Sequence, residues 1–459
     1  MTLPHPDARL IDAVTGAVVP GTALAAAAGA YAGRTPGVVF LPMPTTVDAV
    51  VRYVSAFEAG RPLALLDPTL PAETLADFVD RFEPAVVAGP LPDDTPKGYR
   101  FTSDERLGPL WERETPSAAV PHPDLAVLLA TSGSTGNPKL VRLSRAAIAA
   151  NTASIIEALG ITGADVTVSS LPFYYSFGMS VLNTHLAAGA TVVVEADGLL
   201  GRGFWPAVTE HGVTSLALVP SQYEILRRLR FDPAKYPSLH TLTQAGGRLR
   251  TELIEDFHGR MKSVSGRLFV MYGQTEAAPR LTTLPADRLT EKLGSVGPAV
   301  PGGQLSVRLD DGTESTEPDV RGEVLYRGPN VMLGYAETAA DLARGDDQGG
   351  LLETGDLGHL DADGYLFIDG RLKRFGKVFG VRLNLDDIEG MLPGPAAAVA
   401  GDDKIIVFVV GGAGDATRLR QDLAERLKLH WSGFEVRDIG ALPLLSNGKT
   451  DYRTLESAR

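Results

Sequence analysis

The chain of 459 residues contains no cysteine. Disulfides, thiolate nucleophiles and cysteine-ligated metals are thereby excluded. Basic charge is also in short supply: 43 Lys and Arg stand against 56 Asp and Glu, a net charge of −13. That balance argues against nucleic acid or an anionic membrane as the main partner. No apolar run approaches the roughly 18 residues of a membrane span. The opening Met-Thr-Leu-Pro-His-Pro-Asp lacks a basic region followed by an apolar core, so no secretory signal is expected and a cytoplasmic protein is. No internal repeat is present. Hydrophobic residues at 44% and charged residues at 22% are ordinary for a globular protein, and the length allows two or three domains.

What is present begins with Thr131-Ser-Gly-Ser-Thr-Gly-Asn-Pro-Lys139, directly after the apolar run Leu125 to Ala130. The run reads as a buried strand. Four hydroxyls, two glycines and one lysine in nine residues make a loop suited to phosphate. Hydroxyls donate, the glycines Gly133 and Gly136 let backbone N–H groups come close, and Lys139 adds a point charge. It is not a Walker loop, because Pro138 precedes the lysine and Leu140 follows it.

Four further segments follow in order: Tyr272-Gly-Gln-Thr-Glu276; Gly322-Glu-Val with Gly328 and Gly334-Tyr335; Thr354-Gly-Asp-Leu357 running on to Gly370–Gly380; and Pro443-Leu-Leu-Ser-Asn-Gly-Lys449. Together with the phosphate loop they resemble the adenylate-forming superfamily, over roughly residues 40 to 455. That superfamily holds acyl- and aryl-CoA synthetases, firefly luciferase and the adenylation domains of nonribosomal peptide synthetases.

From 120 to 275, β-rich runs at Val166–Leu171, Thr191–Glu195, Ser215–Val219 and Leu268–Tyr272 alternate with helical stretches at Arg145–Leu159, capped by Ser144, and Ser221–Leu229. This is the pattern of a parallel or mixed sheet covered by helices, which binds ligands where its strands end. Residues 45 to 90 read as helix, strand, helix and strand. Gly294 to Tyr335 reads as short strands with glycine and proline turns, and Asp361-Ala-Asp-Gly364 as a hairpin turn between two strands. Strands are expected at Ala397–Ala400 and Ile405–Val410, with a helix from Ala416 to Leu429 carrying Leu419, Leu423 and Leu427 on one stripe. The fold expected is α/β: a large N-terminal domain of sheets covered by helices over residues 1–369, including a small β-barrel-like subdomain. A hinge at 370–373 leads to a small mobile α+β C-terminal domain at 374–459.

The resemblance implies roles residue by residue. Thr131, Ser132, Gly133, Ser134, Thr135, Gly136 and Lys139 form a mobile phosphate loop. Thr275 donates to the α-phosphate of ATP, and Glu276 binds Mg²⁺, a hard cation suited to carboxylate oxygen. Asp356 accepts from the ribose hydroxyls and Arg371 supports the same ribose. Gly246, Gly247 and Tyr272 line the adenine site. Lys449 swings in to bridge the carboxylate and the α-phosphate.

Gly370 to Arg382 carries Arg371, Lys373, Arg374, Lys377 and Arg382 with no acid among them. Generically it is a solvated basic face. By resemblance Lys373 is the hinge pivot, and Lys377 with Gly380 faces the site in a second half-reaction, on the acceptor side.

Leu171-Pro-Phe-Tyr-Tyr-Ser-Phe-Gly-Met179 resembles the family's aromatic gate. Tyr175 stands where a histidine or another aromatic sits beside the substrate carboxylate. Tyr175, Phe177, Gly178, Met179, Val219, Ser221, Ala277 and Ala278 are the expected acid-binding residues. Amino-acid-activating members carry an aspartate in this region, and none lies between Leu171 and His185, so an α-amino acid is not expected. The apolar lining suits an aryl or medium acyl acid.

The activity implied is activation of a small carboxylic acid by ATP and Mg²⁺, with transfer to a thiol such as CoA. A carrier-protein phosphopantetheine or a nitrogen nucleophile stays open as acceptor, because the C-terminal domain is short. A non-catalytic nucleotide- or acyl-binding module is the reading from another class, opposed by the intact Lys139, Glu276 and Lys449. A phosphoryl transfer releasing ADP is the remoter one.

Overall fold

The computed structural model describes residues 2–130, 139–392, 394–411 and 416–458. These fall into two units. The first takes Met1–Leu293, Ala299–Gln304 and Arg327–Leu352; the second takes Gly294–Pro298, Leu305–Tyr326 and Glu353–Arg459.

The first unit holds two eight-stranded sheets. One runs from edge to edge as Arg280–Leu284, Arg267–Gly273, Thr241–Gln244, Ser215–Leu218, Val166–Val168, Thr191–Val194, Arg9–Asp12 and Val18–Pro20. Its two edge strands are antiparallel and the others parallel. The chain goes from Val166–Val168 to Thr191–Val194 on one side, then crosses back to Ser215–Leu218 on the other. The order therefore reverses between Val166–Val168 and Ser215–Leu218. In open α/β sheets the crevice outside the carboxyl ends of two such strands is where ligands bind.

The other sheet has the order Gly334–Ala336, Leu140–Ser144, Leu125–Ala130, Leu63–Leu66, Val39–Pro42, Val86–Ala88, Gly108–Arg113 and Tyr99–Asp104. The expected single sheet over 120–275 is thus divided between two. Leu140–Ser144 folds back antiparallel on Leu125–Ala130, because the connection at 131–139 is shorter than the dozen or more residues a parallel crossover needs. Helix Arg145–Leu159 then carries the chain to the other sheet. Its first turn is closed by Ser144, whose Oγ accepts from the Ala147 N–H at 2.9 Å, and Gly160 ends it at φ +66°. Val39, Leu41 and Val127 of one sheet and Val192 of the other share a core with Tyr53, Phe57 and Leu182 from helices Val47–Glu58 and Ser176–Ala187. Each such buried large side chain contributes about 1.5–3 kcal/mol.

The second unit has a five-stranded sheet ordered Glu314–Ser315, Gln304–Arg308, Gly322–Arg327, Leu351–Leu360 and Leu366–Arg371. Gly334–Ala336, expected beside these strands, instead pairs antiparallel with Leu140–Ser144. The turn at Asp361–Gly364 forms as expected, with the Gly364 N–H on the Asp361 carbonyl at 2.9 Å. A hairpin that the sequence did not announce follows at Phe375–Val378 and Val381–Asn384. Its two-residue turn, Phe379 and Gly380, has φ +50° and +83°, the double left-handed geometry that matches strand twist. Ala396–Ala400, Ile405–Val410 and Phe434–Ile439 form a three-stranded sheet. Helix Ala416–Leu427 covers it, with Leu423 buried and Leu419 and Leu427 partly so against Ile405 and Phe434.

The basic stretch is not uniformly solvated. Arg374 pairs with Asp386 and with Glu389 (2.7 Å), and its guanidinium lies 3.9 Å from the centroid of the Tyr452 ring. It ties the hairpin to helix Leu385–Gly390 and helix Tyr452–Ser457. Lys373 and Lys377 remain exposed. Among the described residues no helix is long and apolar enough to cross a membrane.

Candidate active site

The two strands that flank the reversal are tied together at their carboxyl ends. The Ser170 hydroxyl donates to the Ala217 carbonyl, and Gln222 Nε2 donates to the Ser170 carbonyl at 2.7 Å. Gln222 also accepts from the Val219 N–H at 3.0 Å. This braces the aromatic segment after Val166–Val168 against the start of helix Pro220–Arg228. Tyr175, Phe177 and Val219, three of the expected acid-binding residues, pack here in one cluster with Leu171, Ala217, Ala245, Phe269 and Met271. Tyr175 meets Phe177 edge-on at 6.4 Å. Burial pushes the Tyr175 phenol up to about 12, with the Arg280 charge opposing.

Other motifs reach the same crevice. Gly246 follows strand Thr241–Gln244 at φ +85°, and a Cβ there would come within 2.5 Å of the Tyr175 hydroxyl oxygen. Only glycine lets the two meet without displacement. Gly247 is less confined: its Cβ would meet Pro220 at 3.3 Å, and its carbonyl accepts from Gln244 Nε2. After strand Arg267–Gly273, Thr275 Oγ1 stands 3.2 Å from Ser176 Oγ, joining the Tyr272–Glu276 motif to the aromatic segment. Gln274 Nε2 donates to the Tyr272 hydroxyl at 3.2 Å. Glu276 Oε1 accepts from the Tyr335 hydroxyl at 2.9 Å, and the Glu276 carbonyl accepts from the Met332 N–H. Burial first, and then the Glu276 charge, raises the Tyr335 phenol above its ordinary range, so it stays a donor.

Some expected residues have a different setting. Met179, fully buried, and Ala278 belong to the core between the two sheets and not to the Tyr175 cluster. A Cβ on Gly178 would fall 2.1 Å from the Pro172 carbonyl oxygen, so close packing of helix on loop requires the glycine. Ala277 is fully buried, its carbonyl accepting from Asn330 Nδ2, and Ser221 is half-buried. Thr131, Ser132, Gly133, Ser134, Thr135 and Gly136 lie outside the described residues. Lys139 pairs with Glu337 at 2.7 Å, both about half exposed, a contact worth at most about 1 kcal/mol.

The sequence reading missed Arg280. It begins the edge strand Arg280–Leu284, is only 2% exposed, and lays its guanidinium 4.9 Å from the centroid of the Phe177 ring. Its main chain is clamped by Asn151, which donates to its carbonyl at 2.9 Å and accepts from its N–H at 3.1 Å. Burial pushes the guanidinium down to about 10, still charged near neutrality.

In the second unit, Asp356 and Arg371 are register partners on strands Leu351–Leu360 and Leu366–Arg371. The Asp356 carboxylate is 5% exposed and 3.5 Å from Arg371 Nε. Lys449 sits in a tight turn. Its N–H donates to Asn447 Oδ1 at 3.1 Å, its carbonyl accepts from the Leu445 N–H, and Gly448 takes φ +79°. Among the described residues no group of three or more His, Asp or Glu could cage a metal.

A crevice at a strand reversal, with the Thr275 hydroxyl, Gly246 and the aromatic segment drawn together beside it, is where open α/β sheets bind their ligands. The chain belongs to the AMP-binding enzyme family, which it matches over residues 21–336. It is 33% identical over 335 residues to the indoleacetate–CoA ligase of Aromatoleum aromaticum, covering 70% of this chain and 64% of that one. This chain thus spans less than two thirds of that relative. It is 32% identical to a feruloyl-CoA synthase of an Amycolatopsis species, covering 73% of this chain and 70% of that one. The fold is shared with o-succinylbenzoate CoA synthetase from Bacillus subtilis in complex with its acyl-adenylate, at TM-score 0.77 and 22% identity over 98% of this chain and 95% of that one. It is shared likewise with ATP-bound MatB from Rhodopseudomonas palustris, at TM-score 0.78 and 23% identity over 99% and 96%.

Proposed function

We propose that this chain is an AMP-forming ligase that activates a carboxylic acid with Mg²⁺-ATP and passes the acyl group to a thiol, CoA. The carboxylate oxygen attacks the α-phosphorus, the bond to pyrophosphate breaks, and an acyl-adenylate forms. The thiol sulfur then attacks the acyl carbon, AMP leaves, and the thiol proton goes to solvent. Catalysis of the first step is mostly positioning and stabilisation of charge on phosphate oxygens. Thr275 serves the α-phosphate, Asp356 and Arg371 the ribose, and Lys139 with residues 131–136 the departing pyrophosphate. Gly246, Gly247 and Tyr272 receive the adenine, and Tyr175 with Phe177 and Val219 the acid. Glu276 suits Mg²⁺, which is held by one or two carboxylates and the substrate phosphates in preference to a protein cage. Lys449 serves the first step and the Lys377–Gly380 turn the second, with Lys373 as the pivot between them.

The observation that carries this reading is the Ser176–Thr275 contact at 3.2 Å with Gly246 against Tyr175, which brings three motifs far apart in sequence to the carboxyl ends of neighbouring strands. The names of the relatives, all CoA ligases or synthases, support CoA as acceptor over a carrier protein or an amine. The test is pyrophosphate exchange into ATP across a panel of aryl and aliphatic acids, followed by thioester formation with CoA. Exchange without thioester would remove CoA as acceptor; no exchange with any acid would remove the activity.

A further inference from the structure

Arg142 is fully buried, and the proposed reaction gives it no part. It is the register partner of Gly334, where strand Leu140–Ser144 pairs with Gly334–Ala336. Its guanidinium reaches four acceptors on one segment. Nη1 donates to the carbonyls of Arg344 and Gly345, and Nη2 donates to the Leu333 carbonyl at 3.0 Å and to the Asp347 carboxylate. Of its three nitrogens, Nε alone has no partner. Main-chain bonds close the same loop. The Leu333 N–H donates to the Arg142 carbonyl at 2.8 Å, and the Asp347 N–H donates to the Leu333 carbonyl at 2.8 Å. Gly334 belongs to this fit: a Cβ there would lie 2.6 Å from an Asp347 carboxylate oxygen and 2.8 Å from Arg142 Nη2, so the ion pair lies across the glycine. A buried pair adds little net stability over apolar packing. What the geometry supplies is position, because it fixes residues 333–347 on strand Leu140–Ser144.

The fixed segment grips Glu276 at two points. The Met332 N–H donates to the Glu276 carbonyl at 2.8 Å, and the Tyr335 hydroxyl donates to Glu276 Oε1 at 2.9 Å. Tyr335 directly follows the glycine under the ion pair. Its hydrogen bond sets the plane of the carboxylate and leaves Oε2 to face a cation. Mg²⁺ demands near-ideal octahedral geometry, and the groups that hydrogen-bond a ligating carboxylate tune how well it serves. Two positions on, Glu337 pairs with Lys139. One short stretch of chain thus meets two of the residues assigned to Mg²⁺-ATP.

We infer that Arg142 and Asp347 are positioning residues for the metal carboxylate: they pin Gly334, the pinned strand sets Tyr335, and Tyr335 orients Glu276. This rests on the ligase reading above, in which Glu276 binds Mg²⁺, and deepens it.

The test measures binding of a non-hydrolysable ATP analogue by calorimetry, once in saturating Mg²⁺ and once in EDTA. The ratio of the two affinities reads what the metal contributes at the site. Tyr335→Phe should lower that ratio by about tenfold or more relative to the parent, the usual effect of removing a partner behind a metal ligand. Asp347→Asn keeps the shape and loses the charge, and it should lower the ratio by no more than Tyr335→Phe does. The double variant should match Tyr335→Phe alone, because both changes act through one hydroxyl. Arg142→Lys should shift the ratio in the same direction. If that buried variant fails to fold, Asp347→Asn still decides, since the Asp347 side chain is 30% exposed. The Mg²⁺ needed for half-maximal pyrophosphate exchange should rise in step. A purely structural clamp would lower the unfolding temperature and weaken the analogue equally with and without Mg²⁺. An unchanged ratio in Asp347→Asn therefore overturns the inference, as does a double variant whose loss is the product of the two single losses. Glu276→Gln is the control, and an unchanged ratio there overturns the metal role of Glu276 together with this inference. The titration needs no turnover, so absence of acid-dependent AMP with every acid overturns the ligase reading and leaves the metal result to stand on its own.

Discussion

Gly246 and Gly247 are adjacent glycines with different surroundings, and the difference sets the size of two effects. At Gly246 a methyl group meets two obstacles. The φ of +85° costs an alanine about 1–2 kcal/mol. The new Cβ also lies 2.5 Å from the Tyr175 hydroxyl and 3.1 Å from Val219 Cγ1, and overpacking of this kind costs about 1–3 kcal/mol. Tyr175 cannot swing clear at no expense, because it is buried and packed edge-on against Phe177. Gly246→Ala should therefore lose about 2–5 kcal/mol, divided between stability and alignment of the acid. At Gly247 the backbone is ordinary and the nearest atom, Pro220 Cγ, is at 3.3 Å. A shift of a few tenths of an ångström suffices, so Gly247→Ala should lose less than about 1 kcal/mol. Denaturant unfolding reads the stability share, and kcat/KM for acid in pyrophosphate exchange reads the alignment share at about 1.4 kcal/mol per tenfold. If both variants stay within about 1 kcal/mol of the parent in both readouts, the packing of Tyr175 on Gly246 is not what builds the acid site.

Lys449→Ala should leave nucleotide binding nearly intact and lower pyrophosphate exchange by about 10²-fold or more, the usual effect of removing one preorganised charge at a reacting centre; near-normal exchange would falsify its role. Glu276→Gln keeps an oxygen for the Tyr335 hydroxyl but loses the charge, so its requirement for Mg²⁺ should rise and be met in part by added Mg²⁺; an unchanged Mg²⁺ dependence makes Glu276 a purely structural carboxylate. Lys377→Ala should spare hydroxamate formation from the adenylate and slow thioester formation, as expected if a hinge brings that hairpin to the site only for the second step; equal losses in both steps would mean that one conformation does all the chemistry. His185 is buried with its folded pKa below the ordinary 6.5, because burial disfavours its charge. The unfolded chain then binds a proton that the folded one refuses, so stability is present above that value and falls as pH drops through and below it. Unfolding at pH 7.5 and 5.5 should show a smaller pH loss for His185→Phe than for the parent.

The parts of the site that were legible are those whose chemistry is local. A loop of glycines and hydroxyls after an apolar run, or a Gly-Lys turn like Gly448-Lys449, carries its meaning in consecutive residues. Helix Arg145–Leu159 was readable to the residue because Ser144 and Gly160 mark its ends. Arg280 was not readable. It stands just past Tyr272–Glu276 in a strand whose five residues are all buried, and a charged residue in a short strand gives no sign of its burial. Burial here is a tertiary fact: Asn151 of helix Arg145–Leu159 holds the Arg280 main chain, and the side chain packs against Phe177. The hairpin at Phe375–Asn384 was hidden because Phe379 is not a turn-forming residue type, and only the pairing of Val378 with Val381 puts it in left-handed geometry. The division of the strands between two sheets was accessible in principle, since the connection at 131–139 is too short for a parallel crossover.

The central claim is that an acid is joined to AMP, so the direct measurement is the identity of the nucleotide product. The protein is incubated with Mg²⁺-ATP, hydroxylamine and each acid of a panel that includes aryl acids, aliphatic acids and diacids, and the nucleotides are resolved. Acid-dependent AMP and pyrophosphate with matching hydroxamate is the result expected. ADP and phosphate, or no acid-dependent product from any member of the panel, would contradict it.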